Sequence, residues 1–310
     1  MRILVTGASG LVGAALVPAL TAAGHRVTRL VRVRPRDPDE SRWDPGSGLL
    51  DPAALTDCEA VIHLAGEGIA AGRWTRRRKG RIRESRVAGT RLLATGIARA
   101  IPPPRSMICA SAVGYYGDRG EQVLDEASGP GEGFLADLAR DWEAAAEPAS
   151  RAGIRVVHLR LGMVLSRDGG ALPRFLLPFG LGLGGPFGSG RQWMSWIALD
   201  DLIAAFGHAL TTTGLDGPVN AVTPCPVTNR EFARTLGRVL GRPAWLTAPA
   251  WTLRLLLGEM GEELLLASQR VIPERLLASG FEFRHPELDG ALRPITGGTR
   301  PGDSESKRGP

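Results

Sequence analysis

Two tyrosines and two lysines, Tyr115, Tyr116, Lys79 and Lys307, are all that the 310 residues contain of either type. Four residues on from the tyrosines stand Arg119 and Gly120, so a Tyr-x-x-x-Lys pair occurs nowhere. Cysteines number three, Cys58, Cys109 and Cys225, far apart and odd in count. They make neither a zinc pattern nor a disulfide framework and fit a reducing compartment. No His/Cys/Asp/Glu set has metal-ligand spacing, so no metal is expected. A Gly-x-Ser-x-Gly elbow is absent too, since Gly188-Ser189-Gly190 lacks the intervening residues. No apolar run approaches a membrane span, and no membrane partner is expected. The first apolar strand begins at residue 2, which leaves no room for a signal peptide. The reading is a cytoplasmic, globular chain of one large domain or two modest ones.

Charge is unevenly placed. Residues 73–86 carry eight cations and one acid, a net +7 in a chain of +6, so the remainder is nearly neutral. Three readings stay open: a solvated loop-and-helix face, a site for an anionic substrate or lid over cofactor phosphates, and a nucleic-acid patch. Only Trp74 interleaves with these charges, so a nucleic-acid partner is not expected.

The chain opens with an apolar run, Ile3-Leu4-Val5, then Thr6-Gly7-Ala8-Ser9-Gly10-Leu11-Val12-Gly13, then a helical pattern to Ala23. Strand, glycine turn and helix are what a dinucleotide-binding loop requires. Gly7 permits the tight turn, Gly10 leaves room for a pyrophosphate, and Gly13 lets the helix approach the strand. The phosphates would sit at the helix N-terminus. Thr6, Gly7, Ser9, Gly10, Leu11, Val12 and Gly13 are therefore the first candidate cofactor residues.

Apolar runs and amphipathic stretches alternate beyond this. Strands are expected at Arg2–Thr6, Arg26–Arg32, Ala60–Leu64, Ser106–Ala110 and Ile154–Leu161. Helices are expected at Leu11–Ala23, Ser85–Ala100 and Phe134–Arg151. That order implies an α/β fold, a doubly wound parallel sheet of Rossmann type, over residues 1–165. Residues 166–294 read as a smaller C-terminal α+β part facing the substrate. It holds a short strand at Met194–Ile197, a helix from Asp200, a strand at Pro218–Ala221 that completes the large sheet, and helices at Asn229–Leu240, Trp251–Leu257, Glu259–Gln269 and Pro273–Ala278. Residues 295–310 lack apolar content to pack and read as disordered.

A Rossmann domain that takes NAD usually has an acid at the end of its second strand. Here that strand ends Leu30-Val31-Arg32-Val33-Arg34, with no carboxylate before Asp37. Arg32 could pair with a 2′-phosphate, so NADP is expected over NAD. The alternative is that Arg32 and Arg34 are ordinary exposed loop residues. Asp44, after Trp43, is either an adenine contact or a turn residue before Pro45.

Four further segments follow strands or strand-like runs: His63-Leu64-Ala65-Gly66, Ser111-Ala112-Val113-Gly114-Tyr115-Tyr116-Gly117, Arg160-Leu161-Gly162-Met163-Val164, and Trp196 to Leu202. With Thr6–Gly13 they resemble the extended short-chain dehydrogenase/reductases, the NAD(P)-dependent sugar epimerases and dehydratases. More closely, the chain resembles the "epimerase family" proteins of the atypical branch. Those carry segments like Gly72–Thr75, the Ser111–Gly117 run, Gly188–Gln192 and a short C-terminal helical domain. The resemblance covers about residues 1–293. It implies cofactor contacts from Leu64, Ala65, Gly66, Arg160 and Gly162, and a substrate-polarising role for Ser111, whose other reading is a turn-capping serine.

In that superfamily a Tyr-x-x-x-Lys pair does the acid–base work. Aligning on Trp142-Glu143 puts Leu135 where the tyrosine would stand and Ala139 where the lysine would. Tyr115 or Tyr116 could face the nicotinamide as a substitute acid, or both could pack between the two parts. Without a lysine, such a tyrosine donates a proton but is a poor base, which favours reduction. Glu67, Arg86, Arg191 and Gln192 are candidate substrate contacts, and His63 reads as a structural histidine. Two functions remain. One is an NADP-dependent oxidoreductase or epimerase-like enzyme acting on a small polar or nucleotide-linked carbonyl compound. The other is a non-catalytic NADP-binding regulator or redox sensor, a reading to which the cell-division label of similar sequences belongs. The expected partner is a small-molecule substrate, and a homo-oligomer is compatible with the sequence.

Overall fold

Apolar alternation along the strands builds the centre of this computed structural model, which describes residues 1–297. The strands are β1 (Arg2–Thr6), β2 (Arg26–Val31), β3 (Glu40–Asp44), β4 (Leu49–Leu50), β5 (Ala60–His63), β6 (Ser106–Ala112), β7 (Val123–Leu124), β8 (Arg155–Leu161), β9 (Met163–Leu165), β10 (Trp193–Met194), β11 (Trp196–Ala198), β12 (Gly217–Ala221), β13 (Val227–Thr228) and β14 (Arg270–Val271). Eight of them form one sheet in the order β12-β8-β6-β5-β1-β2-β3-β4. All its pairings are parallel except the last, β3 with β4.

The helices are α1 (Leu11–Ala22), α2 (Arg76–Ala98), α3 (Phe134–Ala144), α4 (Glu147–Arg151), α5 (Leu172–Gly180), α6 (Leu199–Thr211), α7 (Asn229–Leu240), α8 (Ala250–Leu257), α9 (Glu259–Gly261), α10 (Glu274–Ala278) and α11 (Leu288–Thr296). Successive strand residues point to opposite faces. Ile3, Val5, Ile62, Ile108, Val157 and Leu159 therefore bury one face against α1 and α6, through Leu16, Leu20, Leu202 and Phe206. Leu4, Val61, Met107, Cys109 and Val156 bury the other against α2 and α4, through Leu93, Ile97, Ala146 and Ala149. A sheet covered on both faces is the doubly wound architecture that the alternating pattern implies.

A third core gathers Leu165, Leu172, Phe179, Trp196, Phe232, Leu236, Leu288 and Leu292. It holds α5, α7 and α11 together with short strands, an α+β unit against the main sheet. Residues 217–221 join the main sheet beside β8, whereas 193–198 pair with β13 and β9 outside it. Among the described residues no helix is long and apolar enough to cross a membrane.

Several boundaries differ from the expectations. Helix α2 begins at Arg76 rather than Ser85, because Thr75 caps it by accepting a hydrogen bond from the Arg78 N–H at 3.2 Å. The basic run is thus mainly helix. The segment Phe134–Arg151 breaks at Ala145 and Ala146 before Pro148 into α3 and α4. The segment Glu259–Gln269 ends early, at Leu266, after a wide turn. Helix α11 runs to Thr296, so Ile295, partly buried against the third core, is not tail. The rest of the expected tail, from residue 298, lies outside the described residues.

Candidate cofactor and active site

The chain reverses its direction of sheet building between β1 and β5. From β1 it adds β2 and β3 on one side, and from β5 it adds β6, β8 and β12 on the other. Ligands of doubly wound sheets bind in the crevice at such a switch point, beyond the carboxyl ends of the strands. The turn after β1 and the segment after β5 meet there. Gly7 has φ +69°, and a Cβ on it would stand 2.8 Å from the Leu64 carbonyl carbon, so both backbone angle and space require glycine. A Cβ on Gly13 would collide with the Gly7 carbonyl oxygen. The Gly10 N–H donates to that oxygen at 3.0 Å. Ser9 and Gly10 are exposed. Helix α1 has no side-chain cap and no acid in its first turn, which leaves its N-terminal N–H groups open to an anion. Leu11 packs under Gly169 and Gly170, and Val12 packs into the first core. These features fit a dinucleotide pyrophosphate.

Thr6 ties the two halves of the crevice. Its Oγ1 accepts from the Leu64 and Ala65 N–H groups at 3.1 and 3.2 Å. Both lone pairs are then used, so its proton points to His63 Nδ1, 2.7 Å away. That arrangement leaves the proton of the imidazole on Nε2, which meets Thr90 Oγ1 at 2.9 Å. Burial holds the His63 pKa down at about 4, with Arg86 adding repulsion. His63 is a neutral structural strut, not a base.

Arg32 follows β2 directly, is exposed, and makes no ion pair among the described residues. Arg34 is exposed as well. Asp44 ends β3, the next strand over. Its carboxylate accepts from the Gly46 N–H at 3.0 Å and the Ser47 hydroxyl at 2.9 Å, bonds that lower its pKa. It caps a turn, and each of its two oxygens, holding one hydrogen bond there, keeps a lone pair for a further donor.

The carboxyl ends of β6 and β8 hold a buried polar chain. Ser111 Oγ donates to Glu143 Oε1 at 2.7 Å. Arg160 grips Glu143 in two places, Nε to Oε1 and Nη2 to Oε2, both at 2.8 Å. Its Nη1 donates to the Tyr116 hydroxyl at 3.0 Å, and that hydroxyl donates to Asn220 Oδ1 at 2.8 Å. Arg160 also lies 3.5 Å from the Tyr115 ring centroid. The paired carboxylate outweighs burial and raises the Arg160 pKa.

This chain corrects two expectations. Tyr116 is fully buried, desolvation pushes its pKa up to about 12, and both hydrogen-bonding directions of its hydroxyl are used inside the protein. It is unavailable as a substitute acid. The Arg160 side chain is likewise enclosed by Glu143 and Tyr116, so it cannot reach a cofactor. Gly162 has a packing role: a Cβ there would stand 2.6 Å from the Ser195 carbonyl oxygen. Tyr115 differs, being partly exposed, and its hydroxyl has no hydrogen bond among the described residues. Leu135 packs on Gly114, and Ala139 is buried. Glu143 and Asn220 were not anticipated as site residues. An acid on the buried face of an amphipathic helix was the only sequence signal for Glu143.

The remaining candidates are dispersed. Glu67 pairs with Arg81 at 3.3 Å. Gln192 is buried, and its amide donates to the Phe187 and Leu265 carbonyls at 3.1 and 2.9 Å, which makes it a loop strut rather than a substrate contact. Arg191 is exposed in the same loop. A Cβ on Gly66 would stand 3.1 Å from Arg86 Cζ. The basic run is largely paired: Lys79 with Glu259, Arg81 with Glu67, Arg83 with Asp141. Arg73 and Arg78 bond the carbonyls of Leu255 and Gly68. No group of three or more His, Cys, Asp or Glu among the described residues could hold a metal.

Fold and turn define a doubly wound α/β protein with a dinucleotide crevice. The pattern of the NAD dependent epimerase/dehydratase family matches residues 3–221, and a domain of unknown function, DUF1731, matches 248–295. The chain belongs to the epimerase family. It is 46% identical over 300 residues to Epimerase family protein Mb2239 of Mycobacterium bovis, covering 97% of this chain and 98% of that one. Against human Epimerase family protein SDR39U1 it is 41% identical over 298 residues, covering 95% and 99%. A crystal structure of human SDR39U1 (isoform 2) with NADPH superposes with a TM-score of 0.87 at 39% identity, over 96% of this chain and all of that chain.

Proposed function

We propose that this protein binds NADP(H) between the ends of β1, β2 and β5 and reduces a small polar or nucleotide-linked carbonyl compound. The observation that carries the cofactor half is the Gly7–Gly13 turn docked on Leu64, with the open N-terminus of α1 above it and the unpaired Arg32 beside it. NADPH in the structure of human SDR39U1 supports the choice of nucleotide. Arg32 would take the 2′-phosphate, and the α1 N–H groups the pyrophosphate. NADPH held there would supply the hydride for the carbonyl carbon. The Tyr115 hydroxyl then gives its proton to the carbonyl oxygen, and solvent restores it. Tyr115 is the one loop tyrosine with a free hydroxyl, and the Arg160 cation against its ring stabilises the tyrosinate left behind.

Steady-state NADPH oxidation over a panel of aldehydes, ketones and nucleotide-sugar ketones tests this reading. Turnover that falls at least tenfold in Tyr115→Phe supports it. Tight NADPH binding with no turnover on any substrate sinks it. The latter result favours a non-catalytic NADP(H)-binding regulator, the reading supported by the internal commitment of Ser111 and Tyr116.

A further inference from the structure

Among the described residues, the large apolar side chains that stay more than half exposed are, Val33 and Ile101 apart, confined to two short stretches, 177–183 and 245–256. The stretches are neighbours in space. Leu183 N–H donates to the Pro178 carbonyl at 2.9 Å, folding the chain back on α5, and Leu246 N–H donates to the Gly184 carbonyl at 3.2 Å. Residues 174, 177 and 181 are spaced to share one side of α5, and 251 and 255 one side of α8. Loop 70–73 bridges the two helices. Arg174 Nη1 donates to the Ala70 carbonyl at 2.8 Å, and Arg73 Nη1 to the Leu255 carbonyl at 3.4 Å. Leu177, Leu181, Leu183, Trp245, Trp251 and Leu255, each 59–72% exposed, therefore make one apolar surface, and α8 itself has no fully buried residue. Apolar side chains scattered singly need no explanation, but a contiguous surface marks a contact site.

Charge decides what covers it. The three acids that follow α8 are already engaged: Glu259 with Lys79 at 2.8 Å, Glu262 with Arg254, and Glu263 with the Phe134 and Leu135 N–H groups at 2.9 and 2.8 Å. The arginines around the surface are not matched. Arg73 and Arg174 reach only backbone carbonyls. Arg242 adjoins Pro243, which packs by Gly182, and Arg76 and Arg77 open α2 in a first turn that holds no acid. None of these five meets a carboxylate among the described residues. A second copy seated on this face would bring two sets of unmatched arginines together. Tryptophan and leucine rimmed by free arginine suit acyl chains beneath anionic headgroups. We propose that the α5–α8 face docks this protein on the surface of an anionic lipid bilayer, its leucines and tryptophans in the headgroup–acyl boundary and its arginines on the lipid phosphates. Among the described residues no helix is long and apolar enough to cross a membrane, and lying on one needs no such helix.

The test sediments the full chain with vesicles of phosphatidylcholine, or of phosphatidylcholine and phosphatidylglycerol in equal parts, at low and at high sodium chloride. Wild type is compared with two double variants, Trp251→Ser with Leu255→Ser and Arg76→Glu with Arg77→Glu, each checked for folding by circular dichroism. Wild type should bind the anionic vesicles at least tenfold more tightly than the neutral ones, salt should weaken that binding, and each double variant should lose at least tenfold. Sedimentation with neither vesicle, or equally with both, overturns the proposal. So does anionic binding that Trp251→Ser with Leu255→Ser leaves intact, since that would be charge attraction alone. Light scattering covers the other occupant: a wild-type dimer that the same variant splits into monomers assigns the face to a second copy and overturns the proposal too. Where a variant fails to fold, brominated phosphatidylglycerol decides on wild type alone. Quenching of its tryptophan fluorescence puts the apolar face among the acyl chains, and unquenched fluorescence on bound vesicles contradicts it.

Discussion

Ser111 donates its hydroxyl proton to Glu143 Oε1 at 2.7 Å, and the same carboxylate is clamped by Arg160 on both oxygens. The buried Ser111 hydroxyl therefore has no proton left to donate to another partner. A serine that polarises a carbonyl must donate. Ser111 is thus already committed as a donor inside the protein, and the proposed reduction assigns proton donation to Tyr115 instead.

Glu143→Gln breaks the clamp and leaves Arg160 buried without a counter-charge. Removing one partner of a buried pair costs about 3–5 kcal/mol. Urea unfolding should register that loss, while Ser111→Ala, which removes one hydrogen bond, should lose about 1–3 kcal/mol. Equal and small effects in the two variants would mean that the Arg160–Glu143 pair does not organise this end of the sheet.

Gly13→Ala places a methyl against the Gly7 carbonyl oxygen. The turn must open, which displaces Gly10 and the α1 N–H groups together. NADPH affinity should drop by at least tenfold with secondary structure retained by circular dichroism. An unchanged dissociation constant would show that the phosphates lie elsewhere.

The His63 strut makes a pH prediction. The folded imidazole resists protonation down to about pH 4, whereas the unfolded one takes a proton near 6.5. Between those values the unfolded state binds more protons, so this contribution to stability is complete above pH 6.5 and is lost as pH falls toward 4. The loss amounts to about 3 kcal/mol. His158, also lowered by burial, acts in the same direction. The readout is therefore the difference between wild type and His63→Asn in denaturant titrations at pH 4.5 and 7.5. Parallel pH profiles would contradict the assignment.

The parts of this molecule that were legible in the sequence are those in which neighbours along the chain act together. Thr6–Gly13 is one continuous turn, so its glycines announce their roles by spacing. Alternation in Ile3-Leu4-Val5 and Val156-Val157-Leu159 identifies a sheet buried on both faces. Helix α5 was hidden because Pro173, Pro178 and Gly180 punctuate it, and Leu172 and Phe179 become core only once α7 is beside them. The role of Glu143 could not be read locally, since its partners lie 32 and 17 residues away and meet it only when β6, β8 and α3 pack. The fate of the basic run was equally non-local: Lys79 finds Glu259 across 180 residues.

The central claim is that this crevice holds a 2′-phosphorylated dinucleotide through Arg32. Titrations of NADPH and NADH into wild type and Arg32→Glu, followed by nucleotide fluorescence, test it most directly. The account predicts that wild type binds NADPH at least tenfold more tightly than NADH. A charge-assisted pair of about 1.5–3 kcal/mol supports that preference, and Arg32→Glu should abolish or reverse it. Equal affinity of wild type for the two nucleotides, or an Arg32→Glu protein that still prefers NADPH, would contradict it.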